Sequence, residues 1–114
     1  MSDTRLVYST FPTKEEALLA GRRLLEKRLI ACANVLPGIH SLYRWEGTVQ
    51  SADEVVMLAK TTATCMQAAI DEIKANHPYE IPCIVALPIE GGLPAFVQWV
   101  KEQTVDGYQH CKTK

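Results

Sequence analysis

Apolar and β-branched residues crowd Arg5-Leu6-Val7-Tyr8-Ser9-Thr10, which predicts a strand that stops short of Pro12. Thr13-Lys14-Glu15-Glu16 then reads as a capping box, a hydroxyl followed three residues later by a carboxylate. Ala17, Leu18, Gly21, Leu24 and Leu25 recur at helical spacing opposite Arg22, Arg23, Glu26 and Lys27, so a helix is expected to run to about Leu29. A second strand is expected over Ile30–Leu36. Pro37-Gly38 should bend it, because proline cannot donate to a ladder and glycine tolerates positive φ. The strand resumes from Ile39 to Trp45, turns at Glu46-Gly47 and returns through Thr48-Val49-Gln50 into a third strand over Glu54–Thr61. The resulting hairpin is longer than a small core needs.

Thr64-Cys65-Met66-Gln67 offers a second capping signal, and Met66, Ala69, Ile70 and Ile73 follow at helical spacing. Asn76-His77-Pro78 should end that helix, since the residue before proline avoids helical geometry. A fourth strand is expected over Ile81–Ile89. Pro82 and Pro88 favour an edge or bent position for it. Gly91-Gly92 is a loop, and Leu93–Gln103 a short helix with Phe96, Val97 and Val100 on its apolar side. The order β-α-β-β-α-β plus a helix predicts an α+β, ferredoxin-like sandwich with two helices on one sheet face. The other face needs a cover, and self-association is the simplest one.

Composition narrows the function classes. The chain has 114 residues, 47% hydrophobic and 22% charged, which fits one globular domain, expected over residues 1–105 with a polar tail at 106–114. Twelve basic residues against thirteen acidic ones leave a formal charge of −1. Without a basic excess there is little to hold a polyanion, so nucleic acid is not expected as the main partner. The longest apolar runs, such as Val55–Ala59 and Cys83–Leu87, fall far short of the about 20 residues of a membrane span. The opening Met1-Ser2-Asp3-Thr4-Arg5 carries no apolar signal segment, and a cytoplasmic protein is expected.

Cys32, Cys65, Cys83 and Cys111 are widely spaced, with no Cys-x-x-Cys pair for structural zinc and no disulfide framework. Cys32 and Cys83 lie in apolar runs and are expected to be buried thiols. Cys65 falls near a predicted helix start, a place where thiols can be reactive. Cys111 follows His110 in the tail, where the pair could hold metal adventitiously.

His77-Pro78-Tyr79-Glu80 is the densest polar set. A neutral imidazole is a good ligand for copper or zinc, and Glu80 could ligate or orient it. The competing reading is a histidine that simply favours the helix C-terminus. Lys60 could hold an anion with the N–H groups of the following helix, or merely pack its stem and send its head to solvent. Trp45, next to Glu46 at the hairpin turn, reads as an interface anchor more than a stacking wall for a ligand. His40 reads as a strand residue with a hydrogen-bond partner.

Five blocks in order carry a resemblance: Ala31-Cys32-Ala33-Asn34-Val35-Leu36-Pro37-Gly38, Ser41-Leu42-Tyr43-Arg44-Trp45-Glu46-Gly47, Leu58-Ala59-Lys60-Thr61-Thr62, His77-Pro78-Tyr79-Glu80-Ile81-Pro82 and Ala86-Leu87-Pro88-Ile89. From about residue 5 to about residue 103 the chain resembles the CutA family of divalent-cation tolerance proteins. That resemblance implies a homotrimer of ferredoxin-like subunits, akin in architecture to the PII signal-transduction proteins, and a link to copper and other divalent cations. The copper site proposed for bacterial members joins a cysteine at the end of the first strand to two adjacent histidines before Pro-Tyr. Here Ser9 and Asn76 stand at two of those places and only His77 remains. The metal set expected here is therefore His77, left from the family pattern, with Glu80, read from the residues, holding a divalent ion such as copper weakly.

Two functional readings follow. One is a non-enzymatic homotrimer that binds or responds to metal ions. The other is a PII-like signalling trimer that takes a small anionic ligand in an inter-subunit cleft at Lys60, Tyr79 and Tyr43 and acts on a partner protein. A ferredoxin-like enzyme such as an acylphosphatase would need a phosphate loop with arginine. The one Gly-Arg pair, Gly21-Arg22, lies within the first predicted helix, and no nucleophile–base pair stands out.

Overall fold

The computed structural model describes residues 3–104. Its elements are β1 (Thr4–Phe11), α1 (Lys14–Glu26), β2 (Cys32–Trp45), β3 (Thr48–Thr62), α2 (Met66–Ala75), β4 (Ile84–Pro88) and α3 (Pro94–Gln103). The four strands form one sheet in the order β2-β3-β1-β4, antiparallel throughout. This is the ferredoxin-like α+β arrangement. The His110-Cys111 pair and the polar tail lie outside the described residues.

Cross-strand partners share a sheet face, so register sorts the side chains. Val7 pairs with Ala59 and Phe11 with Val55. These join Ala17, Leu24, Met57, Ala69 and Ile73 in one buried cluster beneath α1 and α2. The alternate residues, Leu6, Tyr8, Leu58, Val85 and Leu87, lie on the opposite face. No element of this chain beyond the margin at α3 packs there among the described residues.

Local signals explain most boundaries. Thr13 caps α1 by accepting the Glu16 N–H at 3.2 Å. The helix then ends at Glu26, earlier than the apolar spacing suggests. Arg28 takes φ 58°, and the N–H groups of Arg28 and Leu29 donate to Leu25 and Leu24 carbonyls. That is a Schellman closure with arginine where glycine is usual, and Leu29 is buried just past it. The Arg28 guanidinium in turn donates to the carbonyls of Gln103 and Glu102, fastening the end of α3.

The two expected halves of the second strand are one strand, interrupted in register between Leu36 and Ile39, with Gly38 at φ 89°. β3 is likewise continuous through Thr48–Thr62. Glu46 and Gly47 have φ 50° and 84°, the positive pair that a two-residue hairpin turn requires. The hairpin makes the molecule elongated: its radius of gyration is 14.6 Å, against about 13 Å for a compact domain of this length.

Other expectations shift. The cap of α2 is not the Thr64 hydroxyl; Thr62 Oγ1 accepts the Cys65 N–H at 3.2 Å. β4 starts at Ile84 instead of Ile81, because Pro82 supplies no donor, and it sits at the sheet edge as its prolines favour. Cys83 is therefore exposed, not buried, and Cys32 only half-buried, while Cys65 is fully buried. An apolar sequence neighbourhood misplaced Cys83, since its run begins one residue before the strand does.

Candidate functional site

On the helix-free side, the hairpin and the segment between α2 and β4 enclose an open cleft of about 800 Å³. Tyr8, Tyr43, Trp45 and Tyr79 supply its aromatic walls, and Arg44, Glu54 and Glu80 its charged groups. Tyr43 and Trp45 are there because alternate residues of β2 share a face. The Tyr79 hydroxyl donates to Glu54 Oε2 at 2.6 Å. Burial, reinforced by that hydrogen bond and by the Glu54 charge, pushes the Tyr79 phenol well above its ordinary range, so it remains a donor.

His77 sits just past α2, where Pro78 stops the helix. Its Nε2 lies 2.7 Å from the Thr10 carbonyl, and its Nδ1 accepts the Tyr79 N–H at 3.2 Å. Its ring stacks on Phe11 at 4.7 Å and 24° and meets Tyr79 at 4.9 Å. Both ring nitrogens are thereby engaged. Ser9 is fully buried, and the Asn76 amide donates to Glu72. Among the described residues no three of His, Cys, Asp or Glu converge as a ligand set. Among the described residues the side chains do not fit a resident copper or zinc ion: both His77 nitrogens are engaged, and no set of three donors gathers around the ring.

The cleft brings Tyr43 and Tyr79 together, as expected, but not with Lys60. Lys60 lines a separate hollow of about 330 Å³ beside Leu6, Leu58, Phe96 and Val97. Its amine donates to Asn34 Oδ1 and, at 3.5 Å, to the Leu58 carbonyl. Within one chain the three do not meet, because Lys60 lies toward the α3 end of the sheet, whereas the hairpin leaves from the other end. Trp45 and Glu46 stand at the hairpin turn, with Trp45 half-exposed. His40 has the expected partner, Asp53 Oδ1 at 2.6 Å across the hairpin. Glu54 escaped sequence reasoning; a carboxylate directly preceding the apolar run Val55–Ala59 was the available signal.

A four-stranded antiparallel sheet with paired helices on one side and an aromatic cleft under an overlong hairpin on the other defines a ferredoxin-like α+β domain with an open aromatic cleft. That class has a specific family behind it. Residues 5–103 match the model of the CutA1 divalent ion tolerance protein family, and the chain belongs to that family. It is similar to the crystal structure of CutA from Xylella fastidiosa, with TM-score 0.88 and 38% identity over 90% of this chain and 99% of that one. It also resembles the structure of the periplasmic divalent cation tolerance protein CutA from Archaeoglobus fulgidus, with TM-score 0.86 and 44% identity over 89% and 98% of the two chains. The chloroplastic CutA protein of Arabidopsis thaliana is 37% identical over 99 residues, 87% of this chain and 54% of that protein. The chain thus spans about half the length of the chloroplastic relatives it matches.

These relatives overturn the cytoplasmic expectation, since one is periplasmic and others chloroplastic. The same fold serves several compartments, because targeting is decided by address signals that the packing of this domain does not constrain. No helix among the described residues is long and apolar enough to cross a membrane.

Proposed function

We propose that this chain acts in divalent-cation tolerance as a non-enzymatic homotrimer whose working surface is the aromatic cleft beside the hairpin. The observation that carries the reading is the sheet face opposite α1 and α2. Val85 and Leu87 are 50% and 48% exposed there, and the hairpin adds Tyr43 and Trp45 at 44% and 39% on the same side. Exposed apolar and aromatic side chains gathered on one face support an association site. A hairpin that overhangs its own core can reach a neighbouring subunit. The response to copper or another divalent ion then arises at the level of the assembly, because the described residues of one chain bring no three ligating side chains together.

Light scattering on the purified protein tests this. The expected mass is three times the 12.7 kDa of one chain. A single-chain mass at micromolar concentration overturns the trimer.

The cleft also favours a second reading, a PII-like regulator that binds a small ligand and passes its state to a partner protein. Its aromatic walls and the Tyr79–Glu54 bond support this. An anionic ligand there would meet Arg44 instead of Lys60. Saturable quenching of Trp45 fluorescence by a small anion, in a Trp99→Phe background, supports it; quenching unchanged by Arg44→Gln counts against it.

A further inference from the structure

We infer that His77 serves this chain as a neutral positioning residue, its two ring nitrogens bonded to the backbones of Thr10 and Tyr79 so as to fix the cleft wall from which Tyr79 reaches Glu54, and that it does not act as a divalent-cation ligand. This rests on the reading of the cleft as the working surface.

The argument is one of donors and acceptors. A neutral imidazole has one N–H and one lone pair. The Thr10 carbonyl can only accept, so Nε2 carries the proton across the 2.7 Å contact. The Tyr79 N–H can only donate, so the lone pair sits on Nδ1. The two backbone partners assign a single tautomer between them. A metal needs a lone pair. At Nδ1 it would displace the Tyr79 N–H. At Nε2 it would break the Thr10 bond and move the proton to Nδ1, where two donors would face each other. Stacking on Phe11 holds the ring in this orientation.

The consequence reaches the cleft. Thr10 lies near the end of β1, and His77 ties the segment after α2 to it. Tyr79, two residues on, spans to Glu54. Glu54 pairs with Ile39 just beyond the register shift, where the hairpin leaves the sheet. One imidazole therefore sets the distance between the post-α2 segment and the base of the hairpin.

The test uses the full chain labelled with ¹⁵N-histidine at a fixed neutral pH, with His77→Phe assigning the resonances. The expected spectrum shows a protonated Nε2 and an unprotonated Nδ1 for His77, unchanged by excess zinc. A saturable zinc-dependent shift of either nitrogen overturns the proposal. His77→Phe keeps an aromatic ring against Phe11 but removes both bonds. Its Tyr79 amide is expected to exchange about tenfold faster, the factor that corresponds to one lost hydrogen bond, while core amides such as those of Val7 and Ala59 keep their rates. Equal rates at Tyr79 in a folded variant overturn the proposal, as does uniform acceleration of all amides, which marks a merely structural role. If the variant does not fold, the zinc titration of the unmodified chain decides alone, with the resonances assigned through His40→Gln and His110→Gln. Neither outcome depends on the trimer mass, so failure here is distinct from failure of the assembly reading.

Discussion

The two faces of the sheet are made by the same strands and are both apolar, yet they end in opposite states. On one, Val7, Met57 and Ala59 are wholly excluded from solvent beneath α1 and α2. On the other, Val85 and Leu87 stand half-exposed, and the hairpin extends apolar side chains past any support. The difference lies in what covers each face, not in the residues. One face is completed by α1 and α2; the other is covered among the described residues only at its α3 margin.

That contrast can be broken from either side. Leu24→Ala, on the covered side, removes a fully buried side chain from the cluster and should cost about 3 kcal/mol, read as a lower urea midpoint. A loss well below about 1 kcal/mol would mean that α1 is not the principal cover. Leu87→Asp, on the open side, should leave far-UV circular dichroism unchanged but reduce the assembly to single chains, because an interface rejects an unpaired charge. An unaltered assembled mass would place the contact elsewhere. Trp45→Ala should weaken assembly less, in proportion to a half-exposed side chain at the hairpin end. Unchanged mass on dilution would remove Trp45 from the interface.

The smallest effect is a titration. The Tyr79 phenol is held above its unfolded value by burial and by Glu54, so folding favours its neutral form. Its contribution is fully present below the unfolded value of about 10 and is lost as pH climbs beyond it. Melting temperature should therefore fall more steeply above about pH 10 in the unmodified chain than in Tyr79→Phe. Parallel slopes would show that the Tyr79–Glu54 bond does not contribute to stability.

Much of the architecture was legible in the chain. Thr13 with Glu16, the Glu46-Gly47 turn and the stop at Asn76-His77-Pro78 are local devices, each specified by residues within a few positions of one another. Pro82 and Pro88 pointed correctly to an edge strand. The early end of α1 was not legible, because Arg28 adopts a conformation that glycine usually marks. Within the site, Tyr43 and Tyr79 could be paired by sequence. The separation of Lys60 from them could not, because it depends on which end of the sheet each strand presents. Nor could the engagement of both His77 nitrogens, which needs Thr10, a residue 67 positions away.

By itself, then, the sequence determined the elements, their order and the family, since helix caps, turns and side-chain alternation act over short separations. Tertiary structure alone decided that Glu54 would hold Tyr79, that His77 would spend its nitrogens on backbone, and that α1 and α2 would cover one of two apolar faces. Those outcomes hang on distances between residues remote along the chain, and such distances are set only when the strands choose their register and the helices choose their side.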